Sequence, residues 1–260
     1  MKRPKEEYKI QSVVNALELL EQFKGERAEL GISELSRILG LHKNSVFRLA
    51  ATLESQGYLE QNRATENYRL GIKALELGKA FLSHTGLVRV ASEKLRALSS
   101  QVNETCYLGI LRDDMVFYIE GVESTQPLRV ASRIGTRLSP LCTAIGKVML
   151  AYVAEQERNQ IISRSEFKVH TPCSILDQGK YEEELRGVIA QGYALEREEK
   201  DLGVINLAAP IFDYNHQVVA AVSISGPITR MTEEALRETL IPHLLNSAEE
   251  ISQAIGYTKK

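Results

Sequence analysis

The stretch LHKNSVFRL, residues 41–49, gathers side chains able to read a nucleic acid. A lysine suits guanine O6/N7 and an asparagine the N6/N7 edge of adenine, so Lys43 and Asn44 could meet bases from a helix lying in a major groove. His42 stands beside them, and Ser45 and Arg48 would hold phosphates. No acidic residue occurs from Leu35 to Leu53. The same residues also match the solvated face of an ordinary amphipathic helix, and the stretch by itself leaves the two readings level.

A second group lies far along the chain. In VVAAVSISGP, strand alternation puts Ser223 and Ser225 on one face and Val222 and Ile224 on the other. In GVINLAAP, Asn206 is the lone polar side chain of an apolar run and shares its face with Val204 and Ala208. If the two strands are neighbours, three hydrogen-bonding groups converge, and burying them without partners would cost about 1–3 kcal/mol each. Local backbone bonds and trapped water answer that cost at least as readily as a ligand does. In CTAIGKVML, a helix starting near Thr143 would turn the N–H groups of Thr143, Ala144 and Ile145 toward an anion such as a carboxylate.

Other chemistry is weaker. A phosphate-binding loop would need glycine at Leu141 and Ser or Thr at Val148, so CTAIGK is not one. Cys142, near a helix start, could be a nucleophile or redox sensor, but no base is fixed beside it and a packing role is expected. His84, His216 and His243 are isolated, so no metal site and no cofactor are expected. The run EREEKD, residues 196–201, reads as a solvated loop.

These residues need elements to hold them. Val13, Ala16, Leu17, Leu20 and Phe23 predict a helix from Ser12 to Phe23. ISELSRILG predicts a short helix with Ile32, Leu35, Ile38 and Leu39 inward, Ser33 as cap and Gly40 as stop. A third helix follows, with Val46, Leu49, Ala50 and Leu53 inward and Phe47 off that stripe, where an aromatic more often packs against a wing than enters DNA. YLEQN and NYRL predict a hairpin with Arg63 at its tip, able to reach the backbone or minor groove. Three helices and a hairpin give the winged helix-turn-helix order.

IKALELGKAFLSH predicts a linker helix, and GLVRVASEKLRALSSQVN a helix opening a larger domain. Strands TCYLGIL, MVFYIEGV and LRVASRIG follow, then a helix TAIGKVMLAYVA and helical stretches over 156–162 and 180–191. Strands GYALER, VINLAAPIFD and QVVAAVSIS precede a final helix from Thr232 to Ile255. The fold class expected is α+β around a mostly antiparallel sheet. The domains expected are 1–70, a linker over 71–86, and 87–260.

The chain has 260 residues, is 43% hydrophobic and 25% charged, and has net charge -2, which suits two globular domains. Residues 1–80 hold 13 Lys and Arg against 11 Asp and Glu, the remainder 19 against 23, so the acidity belongs to the larger part. The 3 cysteines are scattered, which argues against a disulfide framework or structural zinc. MKRPKEEYKI lacks the apolar core of a signal peptide, and no run approaches the roughly 18 apolar residues of a membrane span. A soluble, cytoplasmic protein without a membrane partner is expected.

Taken together, GISELSRILGLHKNSVFRLAATLESQGYL, YRLG, SRIGTRLSPLCTAIGKVMLA, GYALEREEKDLGV, AAPIFD, VVAAVSISGP and ISQAIGY resemble the isocitrate lyase regulator (IclR) family of bacterial transcription regulators. The likeness runs nearly end to end. It implies a winged helix-turn-helix joined by a linker helix to a GAF-like effector-binding domain, with homodimers or homotetramers on double-stranded, pseudo-palindromic operator DNA. For the DNA-reading face it selects His42, Lys43, Asn44, Ser45, Phe47, Arg48 and Arg63. For the effector it implies Ala144, Ile145, Glu196, Asn206, Ser223 and Ser225, the first two through backbone N–H groups. SRIGTR, TAIGKVMLA, SEFK and IGY are similar to regulators of 2-keto-3-deoxygluconate and pectin catabolism within the family.

Position 206 departs from the family pattern, in which many members have cysteine. An ionised Glu196 would accept hydrogen bonds from ligand hydroxyls and repel a second carboxylate, which favours a small monocarboxylate with keto or hydroxy groups, possibly derived from a sugar acid. Two alternatives stay open here: an enzyme acting on a small carboxylic acid with a DNA-tethering domain, and a DNA-bound scaffold for other proteins.

Overall fold

The structure, a computed structural model, describes residues 9–24, 27–84 and 86–258, with the side chains of 79–84 outside that description. The chain divides into two compact units between His84 and Thr85. The first contains α1 (Gln11–Glu21), α2 (Ile32–Leu39), α3 (Lys43–Ser55), β1 (Leu59–Gln61), β2 (Tyr68–Leu70) and α4 (Ile72–His84). The strands form an antiparallel hairpin with Leu59 opposite Leu70. Leu19, Phe23, Leu35, Val46, Ala50, Leu59 and Tyr68 make the core.

Two local expectations change. Helix α2 begins two positions early, capped by Gly31 in place of Ser33, so Ser33 lies inside it and the cap has no side-chain hydrogen bond; Gly40, at φ 65°, ends it in the left-handed region. On α1 the core takes Leu19, while Val13 and Leu17 stay 52% and 58% exposed, so part of the apolar stripe faces away from this unit's own core.

The second unit contains α5 (Gly86–Val102), β3 (Thr105–Arg112), β4 (Met115–Val122), β5 (Arg137–Leu138), α6 (Ala144–Tyr152), α7 (Glu155–Arg164), α8 (Gln178–Gln191), β6 (Ala194–Arg197), β7 (Val204–Phe212), β8 (Val218–Pro227), α9 (Glu233–Ala235) and α10 (Ile241–Ala254). Its sheet runs β5-β4-β3-β8-β7-β6, with every neighbouring pair antiparallel. Helices α5 and α10 cover one face, and α6 packs on β3, β7 and β8 on the other. The final helix is continuous in course but loosens to a π turn over Leu236–Leu240.

Helix α6 is buried on nearly all sides, which its hydrophobic run requires. Its residues Ile145, Val148 and Leu150 are almost inaccessible, each contributing roughly 1.5–3 kcal/mol by leaving water. Close approach sets its position. A Cβ on Gly146 would stand inside the Pro140 backbone, and one on Gly109 of β3 would meet Ile145 Cδ1 at 2.8 Å.

The expected strand LRVASRIG does not form. Beyond β4 the chain runs irregularly and returns to the sheet at Gly135 and Thr136, which bond the Tyr118 backbone, ahead of Arg137 and Leu138 opposite Phe117 and Val116. Side chains of β3 take the hydrogen bonds instead: the Tyr107 hydroxyl donates to the Ala131 carbonyl at 2.8 Å, and Gly135, at φ 80°, turns the segment.

Candidate DNA-reading face and effector site

In the first unit, Val46 and Ala50 anchor α3, and His42, Lys43, Asn44, Ser45, Phe47 and Arg48 are all exposed. Arg63 is exposed in the hairpin turn. That turn is clamped by Glu29, which accepts from Asn62 Nδ2 and Thr65 Oγ1, each at 2.9 Å; these bonds lower its carboxyl pKa. Lys43, Asn44 and Phe47 line a groove of about 660 Å³ with Gln61, Thr65 and the start of α2. Phe47 is not packed away against the wing, as an off-stripe aromatic would more often be, but is 55% exposed.

In the second unit, register settles which side chains meet. Asn206 lies opposite Ser225 on one side and Glu196 on the other, and Ser225 lies opposite Thr105. Ser223 lies between Tyr107 and Ala208. Strand parity puts all of these on the face that carries α6, where Tyr107 and Ala208 join Ala144 and Ile145 in one core. Glu196, Ser223 and Ser225 are buried.

The polar groups bond one another. The Ser225 hydroxyl donates to Asn206 Oδ1, and Asn206 Nδ2 donates to Glu196 Oε2. Glu196 Oε1 accepts the amides of Glu199, at 2.5 Å, and Lys200, at 3.1 Å. Asn206 joins the two neighbours through separate groups, a strong acceptor toward Ser225 and a strong donor toward Glu196, where a cysteine would offer one sulfur that is weak in both roles. Burial raises the Glu196 pKa, although Asn206 and the two amides favour its charged form.

Above the row, the start of α6 was expected near Thr143, and Thr143 is its cap. The Thr143 hydroxyl accepts the Gly146 amide at 3.1 Å, and Ala144 and Ile145 form the first turn. The structure thus brings Glu196, Asn206 and Ser225 into one relay, with Ser223 on the same face and Ala144 and Ile145 in the helix packed over it.

Two features were missed. EREEKD is not simply solvated: Glu199 is 6% exposed and accepts from Lys147 Nζ at 2.5 Å. Lys147, wholly buried in α6, also reaches Glu184 at 3.2 Å and the Leu195 carbonyl at 3.3 Å, so all three ammonium protons have acceptors. The second is Arg133, in the segment mistaken for a strand, which pairs with Asp201 at 2.5 Å. The signal for Lys147 was a lysine inside an otherwise apolar helix, which requires a buried counter-charge.

The loop after β6 is therefore held from several sides: Lys147 and Arg133 by charge, Thr171 by a hydrogen bond to the Glu198 carbonyl at 2.5 Å, and Ser174 by one to the Glu199 carbonyl at 2.8 Å. Burial pushes the Cys142 thiol up to about 11, so it is no ready nucleophile. Among the described residues no group of His, Cys, Asp and Glu is placed to hold a metal ion. No helix among them is long and apolar enough to cross a membrane.

Comparison with known proteins matches residues 12–63 to the IclR helix-turn-helix domain and residues 79–253 to the C-terminal domain of the bacterial transcriptional regulator IclR. The HTH-type transcriptional regulator KdgR of Escherichia coli is 38% identical over 95% of this chain and 94% of its own. The transcriptional repressor IclR of the same bacterium is 29% identical over 95% of this chain and 90% of its own. The crystal structure of IclR from Thermotoga maritima matches with a TM-score of 0.80 at 30% identity, covering 95% of this chain and 99% of that one. These relatives are regulators, not enzymes, which sets aside the catalytic alternative.

Proposed function

Because this chain belongs to the IclR family and is a transcriptional regulator with a helix-turn-helix DNA-binding domain, we propose that its second unit senses a small carboxylate bearing keto or hydroxy groups, of the sugar-acid class. The observation that carries this reading is the buried relay from Ser225 through Asn206 to Glu196 beneath the first turn of α6. Five polar or charged side chains on that face, Thr105, Ser223, Ser225, Asn206 and Glu196, are more than a β-sheet needs for packing alone.

The ligand's carboxylate lies toward the amides of Ala144 and Ile145, where a helix start favours an anion. Its hydroxyl and keto groups exchange with the relay. Asn206 keeps one donor hydrogen and one lone pair beyond the bonds it makes, so it can hold a hydroxyl without abandoning both neighbours. Glu199 Oε2, buried without a hydrogen-bond partner, is a further acceptor for a ligand hydroxyl. Glu196 disfavours a second carboxylate.

In the first unit, Lys43 and Asn44 read bases, Phe47 meets the groove wall, and His42, Ser45, Arg48 and Arg63 hold the backbone. The chain works as a dimer, or a tetramer built of dimers, on a pseudo-palindromic operator whose half-sites lie about 34 Å apart. The support for pairing is an apolar face of the first unit: Val13, Leu17, Leu70 and Leu77, each more than 40% exposed, line a groove of about 1100 Å³. A patch of that kind marks an interaction surface, and we assign it to a second copy.

Calorimetric titration with keto acids, sugar acids and aromatic acids, repeated with operator DNA, tests the sensing claim. A sugar-derived or other hydroxy or keto monocarboxylate should bind and change operator affinity. Binding by dicarboxylates or apolar aromatics alone would reject the proposal.

A further inference from the structure

The segment between β4 and β5 crosses the polar face at Val130 and Ala131 before it pairs with the β4 backbone from Gly135 onward. Thr105 Oγ1 donates to the Val130 carbonyl at 3.4 Å, the Tyr107 hydroxyl to that of Ala131 at 2.8 Å, and the Gly135 amide to that of Tyr118 at 2.8 Å. This route carries Arg133 inward. Its side chain is 14% exposed, its guanidinium donates to Asp201, and the nearby Tyr118 hydroxyl interacts with it electrostatically.

Those two partners belong to opposite sides of the site. Tyr118 is in β4 and Asp201 follows β6, and in a flat sheet the four intervening strand spacings would separate them by about 19 Å. One arginine binds Asp201 and lies near Tyr118 because the sheet curls and the loop folds back. Arg133 therefore sits over the strands between, β3, β8 and β7, which carry Ser223, Ser225 and Asn206. Its charge also acts on Cys142, next to the cap of α6. The guanidinium thus lies over the polar row, on the side of the sheet that carries α6.

The Asp201 pair differs from the other arginine pair nearby. Arg230 binds Glu104 through two nitrogens, at 2.5 and 2.8 Å, and Glu104 is 4% exposed, so that pair is a closed structural clamp. Arg133 meets Asp201 through a single nitrogen, and Asp201 is 44% exposed, so its charge is screened and its release is cheap.

We infer that Arg133 is the cation that receives the effector's carboxylate, and that Asp201 is the internal carboxylate it exchanges for the ligand's. The inference rests on the effector reading above and adds a contact residue and a trigger. Release of Asp201 removes one anchor of the loop after β6, leaving Lys147, Thr171 and Ser174 to hold it.

The test titrates pyruvate, D-gluconate, 2-keto-3-deoxy-D-gluconate and D-gluconamide, at up to millimolar concentration, into the full chain and into Asp201→Asn, Arg133→Gln and Arg133→Lys. Thermal melting of each variant verifies folding. With the competing charge gone, Asp201→Asn should bind the carboxylates about fivefold tighter. Arg133→Gln should bind them roughly ten- to a hundredfold more weakly and lose any preference for gluconate over gluconamide, a discrimination that a purely structural arginine would not govern. Arg133→Lys should restore part of that preference. Carboxylates that bind only to Asp201→Asn would also support the exchange. Equal binding by the wild type and a folded Arg133→Gln would overturn this inference and leave the effector reading standing. If no carboxylate binds either the wild type or Asp201→Asn, the carboxylate reading falls, and this inference with it. Should Arg133→Gln fail to fold, unchanged affinity in Asp201→Asn would suffice to reject the exchange.

Discussion

Replacing Lys147 by methionine removes a charge that is wholly buried and leaves Glu199, whose side chain is 7% exposed, without its cation. Glu184, at 48% exposure, can return to water and matters little to the cost. Breaking a buried pair by deleting one partner costs about 3–5 kcal/mol. Glu199 has an escape in protonation, since burial already raises its pKa while Lys147 lowers it. Each pKa unit by which the carboxyl must be titrated away from its preference is worth about 1.4 kcal/mol. The expected loss near neutral pH is therefore toward the lower end, about 3 kcal/mol. For a unit of this size each kcal/mol moves the midpoint by roughly 2–4 °C, so the second unit should melt about 6–12 °C lower.

The pH dependence has a definite sign. Without Lys147 the Glu199 pKa in the folded chain rises further above its unfolded value, so the folded state binds more protons between the two. Stability of Lys147→Met should fall as pH rises through that window, and the deficit against wild type should shrink toward acid. Glu199→Gln in the same chain should recover most of the loss, because it removes the stranded charge. Calorimetric melting of the wild type, both single variants and the double variant, from mildly acidic to mildly alkaline pH, measures all of this. A Lys147→Met protein that melts with the wild type, with no change in pH slope, would refute the buried-pair argument.

Lys43→Ala and Arg48→Ala should each weaken operator binding by about 1–3 kcal/mol without lowering the melting temperature; gel shifts and melting curves decide, and the Arg48 variant should weaken all DNA sequences alike. Glu29→Gln removes the carboxylate clamping the hairpin turn and should reduce operator affinity severalfold, read by fluorescence anisotropy at constant salt. Leu17→Glu puts a charge on the exposed face of α1 and should shift the assembly toward monomer in analytical ultracentrifugation with the fold intact. Cys142, its thiol pushed up to about 11, should alkylate far more slowly at neutral pH than exposed Cys173, as mass spectrometry of iodoacetamide-treated protein would show.

Much of the architecture was legible because local rules and tertiary demands agree. Val46 and Ala50 lie inward on α3 as their spacing requires, and the parity of Ser223, Ser225 and Asn206 survives into the sheet because a one-residue slip would expose an apolar face. Three features were not legible. LRVASRIG has the composition of a strand, but the side chains of β3 hold it across the face, and only tertiary contact reveals that. EREEKD looks solvated because charge runs usually are, yet a lysine inside α6, 52 residues earlier, draws Glu199 inward. The outward part of the α1 stripe reads as core in sequence because periodicity does not tell a core from an interface. The relay itself could be suspected from parity, but the partnership of Asn206 with Glu196 depends on a strand pairing that the sequence does not state.

We propose that the polar row under α6 and the exposed face of α3 work as one switch. Its most direct test is the affinity of the full-length protein for a labelled duplex, selected by the protein from random sequence, measured by anisotropy with and without the small carboxylate that binds most tightly. A ligand moves DNA binding only through a difference in affinity between two states, and a coupling of 1–3 kcal/mol would appear as a change of roughly 5–150-fold. Such a change is expected, abolished by Asn206→Ala in a protein that still binds the duplex without ligand. Saturable carboxylate binding that leaves duplex affinity unaltered would contradict it.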